Sequence, residues 1–210
     1  NAEGKVIEVL GGINEAGVDM LSLIKQYELP YKFPDEVVAE AKAYGDKIDP
    51  SDLPRRRDLR NDIIFTIDGE DAKDLDDAIH VEKLENGNYK LDVHIADVSH
   101  YVKEGSELDK EALKRSTSVY LVDRVIPMLP HKLSNGICSL NEKELRLAFS
   151  CLMRLDQDGN LTDYKFVKSI ICSRVKGVYS EINALLAGTA DAETQAKYAE
   201  VLDQLPAMKE

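Results

Sequence analysis

Residues 66–79, TIDGEDAKDLDDAI, place six carboxylates between two apolar runs that favour β-strands, and only Lys73 offsets them. Two unit charges roughly 4 Å apart repel by about 4 kcal/mol at an effective dielectric constant of about 20. A cluster of this kind must therefore spread into water, take up protons or bind cations. The chain is thus restricted to folds in which the end of a strand tolerates concentrated negative charge.

The runs around this acidic stretch predict an α+β fold, with a mixed or antiparallel sheet and flanking helices. Asn86-Gly87 and Asp158-Gly159 each separate two β-favouring runs, which is typical of β-hairpins. The predicted strands cover residues 63–67, 78–83, 89–95, 146–155 and 161–171, with a lone strand at 5–10. The predicted helices cover residues 14–27, 34–43, 106–119, 178–187 and 192–205.

Two helix starts and one strand carry more detailed predictions. Asn14 is a candidate N-cap for the first helix, and Ser106 with Asp109 has the spacing of a capping box for the third. In the strand at 89–95 the apolar residues share one face, and His94 lies on the other, polar face.

Length, hydropathy and cysteine use limit the class of protein. A chain of 210 residues can bury a sizeable core, and no apolar run approaches the roughly 20 residues that cross a bilayer. Cys138, Cys151 and Cys172 are widely spaced without a CxxC pair, which argues against a disulfide framework or a zinc site. Cys151 and Cys172 lie in apolar runs and are predicted core residues. We expect a protein of the reducing cytoplasm without a membrane partner.

The net charge of −12 is unlike the basic surface that most nucleic-acid-binding proteins present. The charge is uneven, however. Residues 54–60, PRRRDLR, form a short basic run directly before the acidic stretch. Taken alone, this run is interpreted as a solvated loop.

Four of the carboxylates stand where the predicted strands adjoin the acidic loop. Asp68 ends one apolar run, and Asp74, Asp76 and Asp77 directly precede the next. All-carboxylate sites suit hard cations such as Mg²⁺ or Mn²⁺. Two such ions about 4 Å apart can activate a water and stabilise the leaving oxygen of a phosphodiester displacement. The motif alone is compatible with this chemistry and with a solvated acidic loop.

A calcium loop of the EF-hand type fits poorly. Counting from Asp74, the twelfth position is Glu85, as that loop requires. The fifth and sixth positions are Ala78 and Ile79, where a third ligand and the turn glycine belong. A calcium-stabilised structural domain is therefore a weak alternative.

The acidic stretch and its surroundings resemble the catalytic RNB domain of the ribonuclease II / ribonuclease R family. The segments DGEDAKDLDDA and HIADVSHYV favour the ribonuclease R branch of that family. The resemblance covers roughly residues 55–180. It rests on five segments in the family's order: RRDLR (56–60), TIDGEDAKDLDDAI (66–79), HIADVSHYV (94–102), EGSELDKEA (104–112) and IPMLPHKLSNGICSLNE (126–142).

This resemblance implies a Mg²⁺-dependent hydrolase, in which Mn²⁺ may stand in for Mg²⁺, that degrades single-stranded RNA from its 3′ end and releases nucleoside 5′-monophosphates. It implies that Asp68, Asp74 and Asp77 are metal ligands and that Asp76 is the catalytic aspartate. Tyr120 matches an aromatic that stacks on nucleotides near the 3′ end; without the resemblance it is interpreted as a tyrosine packed at a strand end. Two arginines of the basic run, Arg56 and Arg60, become candidate RNA-phosphate contacts, with a structural role as the alternative.

The resemblance also implies a domain organisation. Residues 1–12 correspond to the tail of an upstream cold-shock-like barrel, or in part to a cloning remnant, residues 13–60 to a helical connecting segment, and residues 61–210 to the N-terminal part of the catalytic domain. The family's downstream segment of the SPIRRY type, and a downstream phenylalanine and glutamate, have no counterpart in the sequence. We therefore expect the 210 residues alone to be inactive. A catalytically silent RNA-binding homologue is the alternative function.

Overall fold

The computed structural model describes residues 3–209; Asn1 and Ala2, which include the possible cloning remnant, lie outside the described residues. The α-helices are α1 (Val18–Gln26), α2 (Asp35–Ala43), α3 (Val98–Tyr101), α4 (Glu107–Arg115), α5 (Tyr179–Ala187), α6 (Ala192–Lys197) and α7 (Leu205–Lys209). Two 3₁₀ helices cover Pro50–Arg55 and Leu202–Gln204. The strands are β1 (Arg57–Asp58), β2 (Ile64–Asp68), β3 (Asp77–Lys83), β4 (Tyr89–Ala96), β5 (Val119–Tyr120), β6 (Val125–Ile126), β7 (Leu145–Leu155) and β8 (Leu161–Val178).

The main sheet closes on itself through the long strand β8. The strand order is β1-β8-β2-β3-β4-β7, and β8 also pairs with β7. The β2–β3, β3–β4, β4–β7 and β7–β8 pairs are antiparallel, whereas β1 and β2 run parallel to β8. Strands β2, β3, β4, β7 and β8 therefore form a closed circuit. The predicted α+β class with a mixed, mostly antiparallel sheet and flanking helices is confirmed.

Three apolar clusters hold the helices and loops on this circuit. One cluster joins residues from all five strands and so lies inside the circuit: Ile64, Ala78, Ala96, Ala148 and Ile171, with Leu59, Leu75 and Leu140 packed among them. A second packs α2 and α4 against Leu147 and Ile170. The third packs the C-terminal helices against Phe65 and Val175.

In strand β4 the polar face is the buried one. Asp92 and His94 are fully buried, whereas Ile95 on the opposite face is 47% exposed. The polar face is turned toward the interior of the circuit, where the His94 Nδ1 lies 2.7 Å from the Ser150 Oγ. Burial lowers the pKa of His94 to about 4. Alternation alone identifies two faces, and only the closure of the sheet decides which of them is enclosed.

Several element boundaries differ from the sequence predictions. Residues 5–10 form no regular secondary structure, and the first helix is preceded by Gly17 rather than Asn14. The third predicted helix ends at Arg115, because Ser116 adopts a φ of 65°. The predicted capping by Ser106 is confirmed, since its Oγ accepts a hydrogen bond from the Asp109 N–H, but the Asp109 carboxylate accepts from the Gly105 N–H rather than completing a capping box with Ser106. The helix predicted over 192–205 is interrupted, and separate short helices cover that segment.

The structure contains both predicted hairpin turns, but it places two of the three cysteines differently from the prediction. Gly87 and Gly159 have φ values of 83° and 81° at the two predicted hairpin turns, a conformation that glycine adopts without strain. Cys138 is buried, whereas Cys151 and Cys172 are half-buried rather than core residues, and all three thiols are free. In residues 3–209 no helix combines the length and the apolar character that spanning a membrane would require. The proposed domain boundaries stay predictions.

Candidate active site

The acidic loop connects the end of β2 to the start of β3 and is held by side chains from distant segments. The Ser139 Oγ donates to the Lys73 carbonyl oxygen at 2.8 Å and accepts from the Leu75 N–H at 3.0 Å. The Lys176 ammonium donates to the carbonyl oxygens of Glu70 and Ala72, at 2.8 and 2.7 Å. These bonds fix the backbone of a loop that its own like charges would otherwise spread apart.

A cavity of about 1120 Å³ opens beside this loop. Asp68, Asp74 and Asp76 line it, and Asp77 begins β3 next to them. The remaining lining comes from the rest of the loop, from the β5–β6 hairpin, from the segment that follows it and from β8: Glu70, Asp71, Ala72, Lys73, Tyr120, Arg124, Val125, Pro127, His131, Ser134, Asn135 and Lys176. The structure therefore brings three of the four predicted aspartates, Asp68, Asp74 and Asp76, to a single cavity with Tyr120, whereas Asp77 is not among the lining residues.

The carboxylates in this cavity influence one another. Partial desolvation raises the pKa of Asp76, and the charges of Asp74 and Asp77 raise it further. Burial followed by the charge of Asp77 raises the pKa of Asp68, while the Lys176 ammonium opposes this shift. Like charges close together disfavour ionisation, so the site stores electrostatic repulsion at neutral pH.

One bond links the hairpin to the acidic loop. The Tyr120 hydroxyl donates a hydrogen bond to the Asp74 Oδ2 at 2.8 Å, while the side chain as a whole remains 66% exposed. This bond raises the pKa of Tyr120, and burial adds to the shift. Tyr120 is thus at the site with an open ring, as a stacking residue requires, and with its hydroxyl already engaged.

The chemistry of these carboxylates suits a hard divalent cation. Their arrangement in this structure, however, leaves them too far apart to coordinate one. The Asp68 Oδ2 is buried without a hydrogen-bond partner, which leaves a lone-pair donor available to a cation. The neighbouring donors are also carboxylate oxygens, the ligand type that Mg²⁺ and Mn²⁺ prefer. Within the described residues, no three His, Cys, Asp or Glu side chains are close enough together to hold a metal ion. A cation would therefore draw the carboxylates together.

Arg56 and Arg60, the two predicted phosphate contacts, do not line the cavity. Arg56 is buried and bonded to Asp97 and, at 3.3 Å, to the His100 Nδ1. Arg60 is partly exposed and makes a two-pronged contact with Asp58, at 2.8 and 2.6 Å. The structure assigns Arg56 a structural ion pair, because its guanidinium is enclosed and satisfied, and RNA contact by either arginine stays a prediction.

Lys176 and Ser139 are the residues of this site that the sequence interpretation missed. Lys176 lies near the end of β8, and its pairing partner Thr66 lies in β2. Ser139 belongs to residues 126–142, a segment that carries the family resemblance without a role for this serine. A single lysine or serine has no spacing signal of its own, since its role depends on which backbone carbonyls the fold brings to it.

The sequence of this chain matches two known family models. The RNB domain model matches residues 56–210, and a cold shock domain model matches residues 1–34. The ribonuclease R of Thermotoga maritima is 55% identical over 188 residues, which are 89% of this chain and 26% of the relative. The chain spans about a quarter of the length of the curated relatives that it matches.

Solved structures agree on the fold. Mycoplasma genitalium RNase R in complex with double-stranded RNA superposes with a TM-score of 0.87 and 30% identity, covering 95% of this chain and 35% of that one. Yeast Ssd1, described as a pseudonuclease, has a TM-score of 0.69 at 20% identity, over 91% of this chain and 24% of its own. This chain belongs to the RNB-domain family. Within that family, the relatives with 41–55% sequence identity to this chain are ribonucleases R.

Proposed function

We propose that this chain is the part of an exoribonuclease that carries the metal-binding carboxylates, and that the whole protein hydrolyses single-stranded RNA from its 3′ end. The released products are nucleoside 5′-monophosphates, and the cofactor is Mg²⁺, which Mn²⁺ can replace. The observation that carries the proposal is the meeting of Asp68, Asp74, Asp76 and Tyr120 at one cavity beside an orphaned carboxylate oxygen.

The residues divide the work as follows. Asp68, Asp74 and Asp77 would hold the cation, whose contribution when bound is to activate a water and to neutralise charge on the phosphate. Asp76 lies between the charges of Asp74 and Asp77 and organises the reacting centre. The exposed ring of Tyr120 offers a surface on which a base can stack, an interaction that contributes about 1–3 kcal/mol.

A second function deserves a direct comparison because the fold alone does not require catalysis. The same fold occurs in a protein described as a pseudonuclease. A catalytically silent RNA-binding homologue would have little use for four carboxylates at one end of the sheet, since each adds repulsion toward phosphate. The retention of all four favours the hydrolytic function.

The decisive experiment compares Asp76→Asn with wild type in the full-length protein. We expect hydrolysis of a 5′-labelled RNA to stop, while binding of the same RNA at moderate salt stays close to wild type, because phosphate and stacking contacts elsewhere supply the affinity. Asp163→Asn, a change of the same charge on β8, is the matched control and should leave both properties unchanged. Loss of RNA binding in Asp76→Asn, or hydrolysis at the wild-type rate, would contradict the assigned role.

The 210 residues alone should be severely impaired in hydrolysis. Removal of one donor that stabilises a transition state costs about 10²–10³ in rate, and the family pattern places an arginine and a 3′-end clamp outside this sequence. Processive degradation of RNA by the purified 210-residue chain, at a rate near that of the full-length protein, would refute this expectation.

A further inference from the structure

The bond between Tyr120 and Asp74 joins two parts of the chain that are 46 residues apart in sequence. Tyr120 lies on β5, whose partner strand β6 supplies Val125 to the wall of the same cavity. The hairpin is anchored beneath by Ile126, which is 4% exposed, and by the Ser118 Oγ, which accepts from the Met128 N–H at 2.9 Å. The phenol is therefore presented to the acidic loop from an anchored hairpin.

The two ends of this side chain have different surroundings. The hydroxyl is fixed to a carboxylate that lines the site, whereas the ring lies in the open, with 66% of the side chain exposed. A hydroxyl can donate a single hydrogen bond, and here it donates to one oxygen of Asp74. The other oxygen, and the remaining lone pairs of Oδ2, stay available to a cation.

We infer that Tyr120 is a positioning residue for Asp74, and that through it the seating of a base on the ring and the affinity of the carboxylates for a divalent cation are coupled. This inference rests on the proposed function. An outer partner that orients a metal-binding carboxylate typically changes metal affinity by about 10–100-fold when it is removed. A base that packs on the ring restricts the phenol, and so holds the Asp74 carboxylate in the orientation that the cation needs.

Coupling of this kind works in both directions. If a stacked base raises the affinity for the cation, the cation raises the affinity for RNA by the same factor. The opposite arrangement is a latch, in which the hydroxyl competes with the cation for Asp74 and its removal tightens cation binding. The two arrangements predict opposite signs for one substitution.

The first experiment uses the 210-residue chain without RNA. Its melting temperature is followed during Mn²⁺ titration at constant ionic strength, for wild type, Tyr120→Phe, Tyr120→Ala and Tyr164→Phe. Tyr164 is an exposed tyrosine of β8, 58% exposed, and serves as the matched control. We expect Tyr120→Phe and Tyr120→Ala to weaken the apparent Mn²⁺ affinity by about tenfold or more, and Tyr164→Phe to leave it unchanged.

The outcomes of this titration separate the inference from its foundation. A wild-type response that Tyr120→Phe leaves unchanged, or tightens, overturns the positioning role and leaves the cation site standing. A wild-type chain without any Mn²⁺-specific response overturns both the cation site and the inference. Equal weakening in Tyr164→Phe shows a general effect of the substitution and also overturns the inference.

The second experiment tests the coupling in the full-length protein with an RNA whose 3′-terminal linkages are replaced by a non-hydrolysable analogue. The dissociation constant for this RNA is measured with and without Mn²⁺. We expect Mn²⁺ to tighten RNA binding several-fold in wild type and to have no such effect in Tyr120→Phe, whose affinity without metal stays near wild type because the ring is retained. With ordinary RNA, Tyr120→Ala should change the final product length. Equal tightening by Mn²⁺ in wild type and Tyr120→Phe would rule out the coupling.

Discussion

Arg56 and Asp97 form an ion pair with 2.7 Å between Nη2 and Oδ2, and their side chains are only 4% and 2% exposed. Burial acts to raise the pKa of Asp97, but the hydrogen bonds from Arg56 and Ser99 outweigh it and hold the pKa below its usual value. The pair ties the segment before β1 to the turn that follows β4. Arg56, for which the sequence predicts an RNA contact, thus forms a buried ion pair within the fold.

Arg56→Ala should destabilise the chain by about 3–5 kcal/mol, because it leaves the Asp97 carboxylate buried without its partner. Urea unfolding followed by circular dichroism measures this change. Arg60→Ala is the control, since the Arg60 side chain is 40% exposed and its pair with Asp58 contributes little. An Arg56→Ala variant with wild-type stability but weaker, less salt-dependent RNA binding would instead identify a phosphate contact.

Asp77→Asn should leave the chain at least as stable as wild type in EDTA at neutral pH. Its charge raises the pKa of both Asp68 and Asp76, so its removal relieves stored repulsion. Added Mg²⁺ or Mn²⁺ should raise the melting temperature of wild type, since a ligand of the native state stabilises it by RT ln(1 + [L]/Kd). The variant should respond much less.

The control for this experiment is Asp163→Asn, with ionic strength matched by KCl to exclude simple screening. It should respond to the metals as wild type does. Clear destabilisation of Asp77→Asn in EDTA would show that the aspartate holds the loop by hydrogen bonds. A solvated acidic loop predicts no metal-specific change in any of the three proteins.

His94 should make the chain less stable as pH falls from about 6.5 toward about 4. Its pKa in the folded state is lowered from 6.5 to about 4, so within this window the unfolded chain binds a proton that the folded chain does not. The full difference corresponds to about 3 kcal/mol, lost as the pH passes from the unfolded to the folded pKa.

The measurement is the free energy of unfolding at several pH values for wild type, His94→Gln and His131→Gln. Comparison with His94→Gln removes the opposing contribution of Asp68 and Asp76, whose raised pKa values favour the folded state at lower pH. The slope should become flatter only in His94→Gln, because His131 is exposed. Identical slopes in all three proteins would mean that His94 accepts its proton without unfolding.

Gly177→Ala should be severely destabilising, because a Cβ at this position would lie 2.3 Å from the Thr66 carbonyl oxygen. The clash separates β2 from β8 directly beside the candidate site. Gly69→Ala is the matched control: a Cβ there meets no atom within 4 Å. We expect a large fall in melting temperature for Gly177→Ala alone. Equal melting temperatures for the two variants would show that the β2–β8 pair adjusts at little cost.

The sequence predicted the elements whose signals are local. The hairpin turns at Gly87 and Gly159 and the Ser106 cap follow from residues a few positions apart, and the structure contains all three. The meeting of Asp68, Asp74 and Asp76 at one cavity could also be predicted, because strand boundaries place them at one sheet end, whereas Asp77, which was predicted to join them, does not line that cavity. Tyr120 was placed by resemblance, since a two-residue strand has no periodicity to detect.

The parts that sequence could not supply depend on closure of the sheet. Whether His94 or Ile95 is enclosed is decided by strands far away in the chain. The same holds for Lys176, whose ammonium finds the carbonyls of Glu70 and Ala72 only after β8 has paired with β2. The ion pair of Arg56 could not be predicted for the related reason that its partner, Asp97, lies 41 residues away in the chain.

The pairing of Asp68 with Val178 has a consequence for when the candidate site can form during synthesis of the chain. During synthesis the acidic loop leaves the ribosome long before β8, so the Glu70 carbonyl can meet Lys176 only after a further 106 residues have been added. Contacts of such high sequence separation form slowly, because a long loop must close before they are gained. The candidate site therefore acquires its shape only after β8 has been made and has paired with β2.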